Sequence, residues 1–213
     1  MKTGIVGLGL RAANVLKMLV EDLPELDLVG YVDPDPCGLS ILDDVSHNLI
    51  RFETLDEMIE KCNLDLLWVA SPNHLHLEHI KTGLEAGLKV FSEKPIVTTK
   101  EDSFILAKLI KKYGESQLIV GLVLRYSVHM RELRRILDAG TLGNITSLEA
   151  NEHIAPFHGS FFMRDWRRLE KYSGGFMLEK CCHDIDLYNS IVGDRPSRVI
   201  SFGGRNNFIP SEA

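Results

Sequence analysis

The stretch TGIVGLGLRA, residues 3–12, decides the fold, because it joins a short apolar run to a helical pattern through closely spaced glycines. The apolar run is typical of a buried strand, and residues 12–23 are typical of a helix. Gly7, Gly9 and Ala12 follow the order G-x-G-x-x-A between them. The first glycine permits a tight turn, the second lets the backbone approach a pyrophosphate, and the alanine permits close helix–strand packing. The stretch therefore predicts the opening of a dinucleotide-binding βαβ unit.

The same loop supplies the candidate cofactor-binding residues. A helix N-terminus offers unpaired N–H groups and partial positive charge to phosphates. The residues placed there are Gly7, Leu8, Gly9, Leu10, Arg11 and Ala12. Asp33 ends the next predicted strand, where a carboxylate binds a ribose 2′-OH and repels a 2′-phosphate. NAD is therefore favoured, and NADP remains an alternative because Arg11 could pair with a phosphate. A tight turn without a ligand is the alternative structural interpretation.

Short apolar runs alternate with helical patterns through the first half of the chain. The predicted strands are 3–7, 26–33, 51–53, 64–71, 89–93 and 117–125. The predicted helices are 12–23, 37–45 (a weak one), 55–62, 76–87 and 100–114. Strands that are apolar on both faces and alternate with helices indicate a parallel sheet covered on both sides. Right-handed crossovers make this a doubly wound α/β fold of the Rossmann type.

The pattern changes near residue 122, so we predict an NAD(P)-binding domain over 1–122 and a partial α+β substrate-binding domain over 123–213. In the second domain we expect helices at 128–140 and 173–190, strands at 144–154 and 197–205, and a long loop at 155–175. A two-stranded sheet is marginal alone. We therefore expect this domain to be incomplete or to be completed by another chain.

Composition narrows the classes of function. The net charge of −6, without a basic run, makes nucleic acid and anionic membranes poor candidate partners. No apolar run is long enough to span a membrane, and the N-terminus lacks the apolar region of a signal peptide. The four cysteines show no disulfide framework spacing. We therefore expect a cytoplasmic protein with reduced thiols.

The stretch SGGFMLEKCCHDIDLYNS, 173–190, places Glu179, His183 and Asp186 on one stripe of an otherwise apolar helix. Buried carboxylates and imidazoles are costly unless they are paired or used. The two vicinal cysteines and His183 point about 100° apart and cannot converge on one ion. Glu179 and His183 lack an evident third ligand, so no metal site is predicted. The stripe is either a satisfied structural network or the lining of a site.

Four further stretches resemble the Gfo/Idh/MocA family of nicotinamide-dependent oxidoreductases. They are SPNHLH at 71–76, EKP at 93–95, GTLGNI at 140–145 and GG…EKCCHDID at 174–186. With the glycine loop, the resemblance covers nearly the whole chain. It implies hydride transfer between a nicotinamide cofactor and a carbinol or carbonyl carbon of a sugar, a polyol or a derivative. Such a small-molecule substrate is then the expected partner.

The resemblance also implies roles for single residues. The turn beside the nicotinamide ribose corresponds to Ser71, Pro72, Asn73 and His76. Glu93 and Lys94 match the EKP motif, whose lysine contacts substrate and cofactor and whose proline is commonly cis. The implied catalytic set is Lys94, Glu179, His183 and Asp186. Glu179 stands where the family usually has aspartate. From the chemistry, His183 would be the base, Lys94 would stabilise the developing oxygen charge, and Asp186 could orient His183. Glu179 would bind a substrate hydroxyl.

Aromatic and arginine residues supply candidate substrate contacts, namely Arg125, Tyr126, Trp166 and Arg167. They suit a sugar or acidic-sugar pocket, or equally a surface segment that awaits a partner. Family chains are usually longer, and the C-terminal sheet that they add often forms a dimer interface, so a homo-oligomer through that sheet is an expectation. Two alternatives stay open: an NAD-binding regulatory or sensor protein without turnover, and an inactive fragment of a longer oxidoreductase.

Overall fold

The computed structural model describes residues 1–45 and 49–204. The sheet contains six strands, all parallel, in the order β3-β2-β1-β4-β5-β6. Their bounds are β1 Lys2–Val6, β2 Asp27–Val32, β3 Ile50–Arg51, β4 Leu66–Val69, β5 Lys89–Ser92 and β6 Leu118–Val120. The prediction of a Rossmann sheet is confirmed. The strand order reverses between β1 and β4, and ligands of such sheets bind at this point, beyond the carboxyl ends of the strands.

Four α-helices lie between the strands. They are α1 Leu10–Asp22, α2 Leu55–Lys61, α3 His76–Glu85 and α4 Lys100–Tyr113. α2 and α4 begin where threonine side chains cap them: Thr54 accepts a hydrogen bond from Glu57 N, and Thr99 from Asp102 N. The weak helix expected at 37–45 is a single 3-10 turn, Leu39–Ile41.

Two hydrophobic cores cover the two faces of the sheet. Leu66 and Trp68 of β4 pack in one core with Leu16 of α1. Leu67 and Val69 of the same strand pack in the other core, with residues of α2, α3 and α4. Adjacent strand residues point to opposite faces. The continuous apolar run of β4 is therefore explained by burial on both sides.

The chain after residue 122 is helical where the structure assigns regular elements. A 3-10 helix, Val123–Tyr126, follows β6, and four α-helices come later: α5 Val128–Asp138, α6 Pro156–Phe161, α7 Glu170–Ser173 and α8 Phe176–Val192. The segment expected to be a loop at 155–175 thus contains α6, α7 and a 3-10 turn, Asp165–Arg168. Among the described residues, no helix is long and apolar enough to cross a membrane.

The strands predicted at 144–154 and 197–205 are wrong over the residues that can be judged, and residue 205 lies outside the described ranges. Residues 144–153 and 197–204 are exposed and carry no strand assignment. An alternating pattern becomes a strand only beside a partner that completes its ladder. All six described strands belong to the Rossmann sheet, and neither segment pairs with it.

Candidate active site

The glycine loop leaves β1 and meets the end of β4. Gly7 has φ +86°, and a Cβ there would lie 2.3 Å from the Ser71 backbone nitrogen, so only glycine fits. At Gly9 a Cβ would meet no atom within 4 Å, so this side of the loop is open. Gly38 closes the other side, since a Cβ there would lie 2.6 Å from the Gly9 carbonyl oxygen. Sequence reasoning missed Gly38, because only the folded loop brings it to Gly9.

Asp33 binds the glycine loop from the end of β2. Its Oδ2 accepts a hydrogen bond from Leu8 N at 2.5 Å, and its Oδ1 accepts one from Asp35 N at 2.7 Å. The Leu8 N–H is therefore already used. Leu10 and Arg11 open α1, so their N–H groups have no intrahelical acceptor, and no side chain caps this helix. The open loop face and these N–H groups fit the phosphates of NAD. The nearby carboxylate of Asp33 fits its ribose.

The turn after β4 is held by its own side chains. His76 is buried, and its two ring nitrogens each lie 2.8 Å from a backbone oxygen, one of Ser71 and one of Pro95. Burial lowers the pKa of His76, against the opposing effect of these two carbonyl groups. Ser71 Oγ lies 2.9 Å from Nδ1 of His79. The Ser71 and His76 side chains thus support the turn, which leaves Pro72 partly exposed.

Glu179 joins three parts of the molecule through one buried carboxylate. Its Oε2 accepts a hydrogen bond from Asn73 Nδ2, which also donates to Ser173 O at 3.1 Å. Its Oε1 lies 3.2 Å from Lys94 Nζ, and Nζ also donates to the Glu179 backbone oxygen at 2.7 Å. Glu179 is 4 % exposed. Asn73 and Lys94 each take one of its oxygens, and the binding of a substrate hydroxyl by Glu179 stays a prediction.

Two glycines bring α8 to the loop after β5. Gly174 and Gly175 both have positive φ. A Cβ on Gly174 would lie 2.5 Å from Leu178 Cδ2 and 3.1 Å from the Thr98 backbone oxygen, so the close approach requires glycine. The peptide bond between Lys94 and Pro95 is cis. Lys94 Nζ contacts the first turn of α8 at the Glu179 backbone oxygen.

His183 lies one turn beyond Glu179 on α8. Its Nδ1 is buried, and no described group forms a hydrogen bond with it. Burial lowers the pKa of His183, and the nearby charge of Lys94 lowers it further. A neutral imidazole with an unpaired nitrogen is equipped to accept a proton.

Asp186 does not orient His183, which corrects that expectation. Both Asp186 oxygens bind Arg125, at 2.5 Å from Nε and 2.5 Å from Nη2. These hydrogen bonds raise the pKa of Arg125. Asp186 therefore connects α8 to Arg125 in the 3-10 helix that precedes α5.

Lys180 is the functional neighbour that sequence reasoning missed. It is 7 % exposed and pairs with Glu152 Oε1 at 2.9 Å and Asp184 Oδ2 at 3.3 Å. Its charge is a further cause of the lowered pKa of His183. The i, i+4 spacing of Lys180 and Asp184 was the available signal.

The remaining predicted residues fall into separate groups. Arg11 Nε lies 3.5 Å from Oε1 of the buried Glu93, so the loop and the EKP motif meet. Arg125 and Tyr126 line a groove of about 540 Å³ between α5 and α8. Trp166 stacks on Arg167 instead, with no described contact to Arg125 or Tyr126. Within the described ranges, no three His, Cys, Asp or Glu residues are grouped as metal ligands.

Comparison with known families matches both parts of the chain. Residues 1–122 match the model GFO_IDH_MocA, described as an oxidoreductase family with an NAD-binding Rossmann fold. Residues 130–211 match the GFO/IDH/MocA C-terminal domain. YteT of Bacillus subtilis (strain 168), named as an oxidoreductase, is 28% identical over 211 residues, which are 96% of this chain and 49% of YteT. The chain thus spans about half the length of the curated relatives that it matches.

Two further relatives carry more informative names. The 2,7-anhydro-N-acetylneuraminate hydratase of Escherichia coli (strain K12) is 25% identical over 202 residues, covering 94% of this chain and 52% of the hydratase. The crystal structure of scyllo-inositol dehydrogenase from Lactobacillus casei, with bound NAD(H) and scyllo-inositol, has a TM-score of 0.72 and 26% identity. That similarity covers 91% of this chain and 56% of the dehydrogenase.

Proposed function

The chain belongs to the GFO/IDH/MocA oxidoreductase family, and we propose that it transfers a hydride between NAD and a carbinol or carbonyl carbon of a sugar, a polyol or a derivative. One observation carries the proposal: Lys94 is held at the first turn of α8, beside a His183 whose buried Nδ1 has no partner among the described residues. A module that only binds NAD needs neither group.

NAD supplies the hydride acceptor when it is bound. In the oxidation direction, the substrate carbon loses a hydride and its hydroxyl loses a proton, which leaves a carbonyl group. His183 takes the proton, since its lowered pKa keeps it neutral near pH 7. The ammonium of Lys94 donates to the substrate oxygen and stabilises its developing negative charge. Its side chain is 19% exposed and so remains within reach of a substrate.

The remaining residues would position these two groups. Glu179 and Asn73 hold Lys94 in place, and Asp33 with the first turn of α1 would hold the cofactor. Arg125, Tyr126, Trp166 and Arg167 remain the proposed substrate contacts. The named relatives act on an inositol and on a neuraminate derivative, and both are polyhydroxylated, which supports this class of substrate.

We also propose the wider setting of the protein. The boundary near residue 122 separates a cofactor domain from a substrate domain at 123–213, and the latter, in whose described residues no strand is assigned, forms the contact between copies in a homo-oligomer. The four cysteines are free thiols, which suits the reducing cytoplasm.

The test is oxidation of a panel of inositols, hexoses, hexitols, hexuronic acids and hexose 6-phosphates by the 213-residue chain with NAD⁺, followed as NADH formation. We expect turnover with at least one of these compounds, and we expect Lys94→Met to lose it while still binding NADH. Lys108→Met, an exposed lysine on α4, is the matched control and keeps full activity. NADH binding without turnover of any compound in the panel would reject the proposal and favour the regulatory alternative.

A further inference from the structure

We propose that the substrate of this site carries an anionic group, a carboxylate or a phosphate ester, which the guanidinium of Arg167 binds. This inference rests on the proposed function and deepens it, because it names a class among sugars and polyols.

Arg167 lies against two aromatic rings, and its guanidinium has no polar partner among the described residues. Its Cζ lies 4.2 Å from the centre of the Phe161 ring and 4.4 Å from that of Trp166. Its Nε is buried and forms no hydrogen bond with any described residue. No carboxylate in the described ranges lies within ion-pair distance of this guanidinium. The two aromatic rings fix the plane of the guanidinium and leave its hydrogen-bonding capacity unused.

A half-buried arginine without an anionic partner is unusual, because a desolvated charge is costly until it is paired. Burial lowers the pKa of Arg167, against the opposing effect of the Glu179 and Asp165 charges, neither of which forms an ion pair with the guanidinium. An anion with two adjacent oxygens would pair with this charge through two parallel, charge-assisted hydrogen bonds. Carboxylates and phosphate esters share this chemistry, whereas a neutral hydroxyl supplies no charge.

The segment that carries Arg167 lies against the catalytic helix. Phe162 is 4 % exposed, and its ring packs edge-on against Phe176, the first residue of α8, at 5.2 Å between centroids. The charge of Glu179, in the first turn of α8, also acts on the pKa of Arg167. An anion bound at Arg167 would therefore lie beside the group that holds Lys94.

The test measures binding to the NADH-saturated 213-residue chain by isothermal titration calorimetry. Matched pairs are compared: several hexuronic acids with their neutral methyl esters, and hexose 6-phosphates with the parent hexoses. We expect at least one anion to bind 10-fold or more tightly than its neutral partner. Preference for the acids would identify a carboxylate as the recognised group, and preference for the 6-phosphates would identify a phosphate ester.

Arg167→Met should remove this preference, while Arg168→Met, an exposed neighbour of equal charge, should keep it. Arg167→Lys provides a second variant that retains the charge and loses the planar fork, so we expect a partial loss. Equal binding of every acid and its ester, or a preference that survives in Arg167→Met, would overturn the inference. Failure of NADH to bind would reject the proposed function instead, so the two failures are distinguishable.

Discussion

The ammonium of Lys94 lies 2.7 Å from the backbone oxygen of Glu179 and 3.2 Å from its carboxylate, although 85 positions separate the two residues. This contact joins the loop after β5 to the first turn of α8. It therefore connects the two regions that the sequence assigns to separate domains. It also accounts for the glutamate at this position, because the same carboxylate reaches Asn73 after β4.

Loss of the Glu179 charge should impair chemistry more than cofactor binding. In Glu179→Gln the neutral amide loses the ion pair with the ammonium, so Lys94 is less well placed in the transition state, and we expect kcat to fall roughly 100-fold. The dissociation constant for NADH should change little. Steady-state kinetics and NADH titration of Glu179→Gln, with the exposed Glu101→Gln as control, check this. An unchanged kcat would show that the contact does not position Lys94.

Replacement of His183 should impair proton transfer and leave cofactor binding intact. We expect His183→Ala to reduce turnover roughly 100- to 10,000-fold, the range of general acid–base catalysis. NADH affinity should be nearly unchanged, and His129→Ala, an exposed histidine on α5, should retain activity. If His183→Ala cannot bind NADH, His183 is structural and the catalytic assignment is wrong.

The pH dependence of oxidation should follow the lowered pKa of His183. Neutral His183 is the active form, so the acid limb of kcat/KM should lie below the ordinary histidine pKa of about 6.5. Lys180→Met removes a positive charge that lowers this pKa and leaves Asp184 to raise it. The acid limb should therefore move to higher pH in that variant.

NMR titration of His183 in the wild-type chain and in Lys180→Met provides an independent reading of the same pKa. A resonance that titrates at the same pH in both proteins would contradict the electrostatic role of Lys180.

His76 should contribute to stability and not to chemistry. Its ring nitrogens face the Ser71 and Pro95 carbonyl oxygens, so His76→Leu removes the ring N–H that binds one of these two buried oxygens. We expect a loss of roughly 2 kcal/mol or more in the free energy of unfolding. Urea unfolding measures this, and the exposed His74→Leu should lose much less. Equal losses in the two variants would contradict the supporting role of His76.

Much of the first domain could be predicted because its signals are local. The apolar runs and glycine order of residues 3–12 fix a βαβ unit, and the strand assignments elsewhere were shifted by only a few residues. The motifs also indicated the residues that gather at the carboxyl ends of the strands. Lys94 and Glu179 meet there.

The partners of those residues could not be predicted, because they depend on the fold. Nothing local indicates that Asp186 pairs with Arg125 and not with His183, or that Gly38 closes the glycine loop. The strand prediction at 144–154 is wrong for the same reason, because an alternating pattern indicates which face of a strand would be buried and not which strand would pair with it.

The most direct test of the account is an equilibrium titration of the 213-residue chain with NADH and with NADPH, followed by nicotinamide fluorescence. Asp33 lies beside the glycine loop and repels a 2′-phosphate, so we predict that NADH binds at least about 10-fold more tightly than NADPH. Asp33→Asn, which keeps an oxygen for Leu8 N, should lose this preference. Failure to bind either cofactor, or equal affinity for both, would contradict the account.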